Sequence, residues 1–185
     1  MQLCGIDEAG RGPLAGPLCL AGVVFKNDSI NQKDFELLND SKKLSEKKRE
    51  YLFDIIKENS YYHIVLKSNK DIDNFGISKC IQMSIREIIN TLGDYNYLMD
   101  GNTSFGIENL QHLIKADATI KEVSAASILA KVTRDRYMNA IASEYPLYQF
   151  DKHKGYGTKL HMDLIKLYGK SALHRLTYKI KGIDI

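Results

Sequence analysis

The run Gly5-Ile6-Asp7-Glu8-Ala9-Gly10-Arg11-Gly12-Pro13-Leu14-Ala15-Gly16-Pro17, followed by Leu18-Cys19-Leu20-Ala21-Gly22-Val23-Val24-Phe25, orders the rest of the chain around it. Gln2 to Asp7 and Leu18 to Phe25 read as two strands. Between them Gly10, Gly12, Pro13, Gly16 and Pro17 are too rich in turn residues for a helix. The second strand is almost wholly apolar, the pattern of a strand covered on both faces. A sheet with layers on either side is therefore expected.

The segments further out agree. Tyr61 to Lys67 is β-branched and aromatic and reads as a third strand. Ser45 suits an N-cap for a helix to about Glu58, with Tyr51, Leu52, Ile55 and Ile56 on one face. Ile77, Cys80, Ile81, Ile85, Ile88, Ile89 and Leu92 keep helical spacing. Tyr97-Leu98-Met99 is a short strand leading into Asp100-Gly101. Further helices are expected over Val123 to Ser143, closed by Pro146, and over Lys159 to Tyr168, before Gly169. Strands come first, then helices and strands alternate, with no repeat and no linker. That predicts one mixed α/β domain over residues 1–185.

Composition narrows the class. Hydrophobic content of 44% with 26% charged residues is ordinary for a globular protein. A net charge of +3 neither demands nor excludes a polyanionic partner. Cys4, Cys19 and Cys80 are scattered without a CxxC pair, so buried thiols are expected rather than zinc or disulfides. No apolar stretch approaches the roughly 20 residues that span a bilayer. The first residues lack the basic and apolar regions of a signal peptide, so a cytoplasmic location is expected. His63, His112, His153, His161 and His174 show no metal-ligand spacing, and none is assigned a proton-transfer role.

The acids carry the chemistry. Asp7 and Glu8 are expected at the end of the first strand, where strict alternation relaxes and both can reach one site. Asp100 ends another short strand, and Asp117 lies shortly before the long helix. Strand ends are where α/β sheets collect ligands. Clustered carboxylates repel unless a cation lies among them, and an all-oxygen set suits Mg²⁺ or Mn²⁺. Any one of these acids alone would more often be a turn former.

Taken in order, the blocks resemble bacterial type 2 ribonuclease H. Gly5 to Pro17 looks like that family's opening signature. Asp40-Ser41-Lys42-Lys43-Leu44, Met99-Asp100-Gly101-Asn102 and Ala126-Ser127-Ile128-Leu129-Ala130-Lys131-Val132-Thr133-Arg134-Asp135-Arg136 agree with it, as do His153-Lys154-Gly155-Tyr156-Gly157-Thr158 and His174-Arg175. The resemblance implies an RNase H-like fold, a central mixed β-sheet flanked by helices with a helical C-terminal part. It implies that Asp7, Glu8, Asp100 and Asp117 hold two divalent metal ions, with Asp7 bridging. It implies an endonuclease for RNA/DNA hybrids and for DNA containing ribonucleotides, leaving 3′-hydroxyl and 5′-phosphate ends, with a role in ribonucleotide removal and RNA primer removal. A monomer is expected. Ala116 departs from the family's usual glycine, Val123-Ser124 from an alanine-rich run and Leu176-Thr177-Tyr178 from Ser-Phe, and the chain ends sooner than in many relatives; the acids are untouched.

Such an enzyme must sense the 2′-hydroxyl, which distinguishes RNA from DNA. Gly10-Arg11-Gly12 is suited to that, because glycines let backbone amides and carbonyls approach a sugar and Arg11 can grip a phosphate. By resemblance, Tyr156 stacks on the next deoxyribose and checks for a junction. Ser41, Lys42 and Lys43 fall in a matched block and are expected to touch substrate, whereas Lys47, Lys48 and Arg49 read as a solvated helix face. Among Lys131, Arg134 and Arg136, one is expected on phosphate and another paired with an acid. Two rivals stay open. One is another nuclease or strand-transfer enzyme with the same carboxylates, and the other a binding module that kept the fold without catalysis.

Overall fold

The first strand lies at the middle of the sheet, which fixes everything the acids can reach. In the computed structural model, which describes residues 1–26, 32–38, 44–180 and 182, β1 (Leu3–Ala9) has β2 (Leu18–Phe25) on one side and β4 (Asn96–Asp100) on the other. Beyond these lie β3 (Ser60–Lys67) and β5 (Leu110–Leu113), giving the order β3-β2-β1-β4-β5. β1, β2 and β3 pair antiparallel, while β4 and β5 run parallel to β1. The sheet is therefore mixed, and the carboxyl ends of β1, β4 and β5 share one edge of the molecule.

Both faces are covered, as the apolar run in β2 predicts. On one face Cys4, Ile6, Leu20 and Val24 meet α4 (Ile77–Leu92) through Cys80, Ile81, Ile85 and Ile88. α3 (Asn69–Phe75) adds Ile72. Each of the three fully buried isoleucines of α4 contributes roughly 1.5–3 kcal/mol by leaving water. On the other face Ala9, Cys19, Ala21 and Val23 meet α2 (Glu46–Asn59) and α5 (Lys121–Ile141). α1 (Gln32–Leu37) lies before α2. Small residues let α5 lie close: a Cβ on Gly5 would collide with the backbone of Glu122 and Val123. Further along, α6 (Phe150–His153) and α7 (Lys159–Tyr168) gather around Phe150, Tyr148 and Leu173 against Ala15 and Met138.

Ser45 accepts the expected capping bond from Lys48 N–H, and Thr158 caps α7 in the same way through His161 N–H. Other expectations need correcting. β1 continues through Ala9, held by the Ala9–Cys19 rung of its hairpin, instead of ending at Asp7. α2 buries Leu52, Phe53 and Ile56, while Tyr51 is exposed and bonds Asp34. α3, β5 and α6 are elements that periodicity left unread, each too short for a repeating signal. The three cysteines are buried and free, with Cys4 and Cys19 on opposite faces of the sheet. Burial pushes both of these thiols up to about 12. Among the described residues, no helix is long and apolar enough to cross a membrane.

Candidate active site

Alternation along β1 sends Cys4 and Ile6 toward α4, and Gly5, Asp7 and Ala9 toward α5. Asp7 is almost fully buried there, and its Oδ1 accepts the Glu8 N–H at 2.8 Å. Ser127, on α5, bonds the same carboxylate. In the neighbouring parallel strand Met99 is the register partner of Ile6, so Asp100 continues the ladder beside Asp7. Asp100 Oδ1 accepts the Ala116 N–H at 2.7 Å. That bond anchors the short 3₁₀ turn Ala116–Ala118, entered through Lys115 at a left-handed φ of 61°, and the turn delivers the fully buried Asp117. Carboxylate oxygens of Asp7, Asp100 and Asp117 lie within 4.8 Å of one another.

Three acids so placed strain against their own charge. Burial, and then the negative charge of Glu8, hold the Asp7 carboxyl well above its ordinary range; Asp100 adds to this, while the Ser127 and Glu8 bonds offset part of it. A divalent cation would relieve that repulsion, and an all-carboxylate donor set fits a hard ion. Ser127 belongs to the Ala126–Arg136 run, and nothing in that run by itself assigns it a partner. The signal was available, since Val123, Ser127 and Lys131 are spaced by one turn and share a helix face.

Glu8 is the acid that does not join this triad. Glu8 follows Asp7 in β1 and lines the same cavity as Ser127, whose side chain bonds Asp7. Its carboxylate stands 3.9 Å from the Arg11 guanidinium. It remains close enough for its charge to act on Asp7.

The glycine loop beyond β1 is clamped from beneath by two fully buried arginines. Arg134 donates from Nε to Pro17 O at 2.8 Å, from Nη2 to Ala15 O at 3.1 Å and from Nη1 to Lys154 O at 2.9 Å. Arg175 donates from Nη2 to Gly10 O at 2.6 Å, from Nη1 to Arg11 O at 3.0 Å and from Nε to Gly16 O at 3.1 Å. Burial lowers both guanidinium groups, Arg134 to about 10, which leaves it charged at neutral pH. Gly10, at φ 92°, has no room for a side chain, because a Cβ would strike Arg134. Gly12 is different: a Cβ there would meet no atom of the described residues.

These contacts revise the basic-residue expectations. Arg134 is a structural clamp, not a phosphate ligand or an ion-pair partner. Arg136 reaches Glu50 on α2. Lys131 bonds Asp135 at 2.8 Å and lies 5.6 Å from the centre of the Tyr156 ring. A cavity of about 380 Å³ opens between Gly10, Arg11, Gly12, Ser127, Lys131 and Tyr156. Arg49 also lines it, whereas Lys47 and Lys48 are the solvated face expected. Tyr156 is 39% exposed at its wall, and the Arg11 side chain is 52% exposed. Ser41, Lys42 and Lys43 lie outside the described residues.

Comparison with known proteins follows the same lines. The sequence model of the family described as ribonuclease HII matches residues 4–181. The ribonuclease HII of Aliarcobacter butzleri is 60% identical over 184 residues, covering 98% of this chain and 93% of that relative. Among solved structures, ribonuclease HII of Archaeoglobus fulgidus, determined in complex with PCNA, superposes with a TM-score of 0.82 at 25% identity, covering 98% of this chain and 96% of that one. Ribonuclease H2 of Pyrococcus horikoshii gives 0.79 at 27%, covering 97% and 94%. The expected RNase H-like architecture, a mixed sheet flanked by helices, is the one found.

Proposed function

This chain belongs to the ribonuclease HII family, and we propose that it hydrolyses the RNA strand of RNA/DNA hybrids and incises on the 5′ side of single ribonucleotides embedded in duplex DNA. It is a metal-dependent endoribonuclease. One juxtaposition carries the finer reading: the triad Asp7, Asp100 and Asp117 sits next to a loop whose Gly12 has none of the described residues against it and whose Arg11 is exposed.

Asp7, Asp100 and Asp117 would hold one divalent ion, Mg²⁺ or Mn²⁺. Asp7 together with Glu8 would help hold a second, so Asp7 is the shared ligand. Two such ions would supply an activated water and would stabilise the leaving oxygen of a phosphodiester. The protein's own residues do the rest. Ser127 and the Glu8 amide fix the orientation of the Asp7 carboxylate, so that its lone pairs point the right way before substrate arrives. Gly10 and Gly12 bring backbone groups to the ribose 2′-hydroxyl, and Arg11 neutralises the adjoining phosphate. Tyr156 stacks on the following deoxyribose, which makes the RNA-to-DNA junction the preferred site. Lys131 and Arg49, on the same cavity, add phosphate affinity, and Ser41, Lys42 and Lys43 are further substrate contacts. The products are a 3′-hydroxyl and a 5′-phosphate. The chain acts as a single catalytic domain, monomeric and cytoplasmic, in ribonucleotide and RNA primer removal.

Mapping the cut on a duplex with one embedded ribonucleotide tests this. One incision 5′ to that nucleotide is expected with Mg²⁺ or Mn²⁺, and none with chelator or on all-DNA duplex. Equal cutting of all-DNA duplex would overturn the specificity claimed for the loop.

A further inference from the structure

Three buried histidines, His153, His161 and His174, lie behind Tyr156, and the mechanism above uses none of them. Their hydrogen bonds leave only one set of tautomers. The Ser171 backbone N–H, which can only donate, meets His174 Nδ1 at 2.8 Å. In the neutral ring the proton of His174 therefore sits on Nε2. That nitrogen faces His161 Nε2 at 3.1 Å, so His161 accepts there and carries its own proton on Nδ1. Nδ1 in turn donates to the Tyr156 carbonyl at 2.9 Å. On the other side of the residue, the Tyr156 N–H donates to the carbonyl of His153 at 2.9 Å. The His153 ring stacks on His161 at 4.1 Å and takes the Gly155 N–H on Nδ1 at 3.2 Å.

We propose that His161 and His174 are positioning residues for Tyr156: the hydrogen-bonded chain from Ser171 through both rings ends on the Tyr156 carbonyl and sets where the phenol stands over the cavity. The inference rests on Tyr156 being the junction sensor. The segment is tied to the glycine loop as well, because Leu14 N–H donates to Gly155 O at 2.8 Å. The chain thus places Tyr156 relative to Gly10-Arg11-Gly12. The relay works only with neutral rings, since a second proton would set N–H against N–H. Burial supports that state, holding His161 and His174 down at about 4, and the neighbouring His153 and Lys170 act in the same direction. His153 is lowered too, by burial, with Asp151 opposing and Lys154 assisting.

A purely structural role for these rings would lower stability and slow every substrate alike. The test therefore reads a ratio: kcat/KM on a single embedded ribonucleotide divided by kcat/KM on a continuous RNA/DNA hybrid, at saturating Mn²⁺. His161→Leu removes both ring nitrogens and should lower the ratio about tenfold, mainly through KM at the junction, since small misplacements of a positioning group cost that order. His161→Asn keeps an N–H near the Nδ1 position and should recover most of it. In the Tyr156→Ala background, His161→Leu should change the ratio no further. If His161→Leu does not fold, His174→Gln, which keeps a donor at the Nε2 position, and His174→Leu form the equivalent pair. An unchanged ratio in the leucine variants, or asparagine and glutamine variants no better than leucine, overturns the positioning role. Should Tyr156→Ala itself leave the ratio intact, the sensor reading fails and the inference with it. A ratio lost in Tyr156→Ala but intact in His161→Leu overturns the histidine chain alone.

Discussion

The carboxylate triad and the glycine loop next to it solve opposite electrostatic problems. At the triad, acidic groups are brought together, two of them buried, and Asp7 is held against its charged form by burial and by Glu8. Beneath the loop, the buried groups are positive, and Arg134 and Arg175 spend their donors on backbone carbonyls of Gly10, Arg11, Ala15, Gly16 and Pro17. The first arrangement calls for a cation from solution to offset its charge. The second is complete within the protein, and the proposed reading of a sugar by this loop would need that rigidity beforehand. One region holds like charges together, and the other gains stiffness from its buried donors.

The largest expected effect breaks the first region. Asp117→Asn should cut turnover by on the order of 10³-fold or more, because metal-held charge supplies several kcal/mol to the transition state. Hybrid binding, measured by fluorescence anisotropy, should stay within a few-fold of the parent. The rise in Tm on adding Mn²⁺ should vanish with it. If Asp117→Asn still cuts at the parental rate, the triad is not the metal site.

Next in size, Arg175→Leu should destabilise the chain by roughly 3 kcal/mol or more in urea unfolding, since several buried carbonyls lose a charged donor. Arg175→Lys should recover little, lacking the planar fork. If Arg175→Leu folds at low temperature, its Mn²⁺-dependent rise in Tm should persist, which would separate the two regions experimentally.

A finer contrast lies inside the loop. Gly10→Ala should cost roughly 1–3 kcal/mol, for backbone strain at positive φ and for the collision with Arg134. Gly12→Ala should change stability by less than about 0.5 kcal/mol, yet weaken cleavage at a single ribonucleotide. Equal stability losses at the two positions would remove the reason for assigning Gly12 to substrate.

The smallest and most graded effect is with pH. His161 and His174 fall from an ordinary value of 6.5 to about 4 in the folded chain. Below pH 6.5 the unfolded chain takes up protons that the folded one refuses. Stability should therefore be full above pH 6.5 and decline as pH falls toward 4, read as a dropping urea midpoint. His161→Asn should flatten that decline. A midpoint independent of pH across this window would show the rings are not held neutral.

Much of this molecule could be read from local pattern alone. The apolar run Leu18 to Phe25 predicts a strand covered on both faces, and the spacing from Ile77 to Leu92 predicts the helix that covers one of them. Ser45 marks a helix start because a cap acts within one turn. The acids of the triad and the Gly-Arg-Gly loop are visible as residue types at strand ends and turns. Periodicity and capping are properties of neighbours in the chain, so a sequence states them directly.

Packing decided the rest. That Asp117 joins Asp7 and Asp100 depends on the turn that the Ala116–Asp100 bond anchors. That Ser127 meets Asp7 depends on α5 pressing onto Gly5. The buried arginines left no local signal at all: their partners are carbonyls, which every residue carries, and Arg175 finds Gly10 and Arg11 across most of the chain's length. The histidine chain behind Tyr156 is hidden for the same reason. A sequence shows which groups are present and which way a segment faces, while only the folded chain decides which distant groups meet, because that depends on how whole faces fit together.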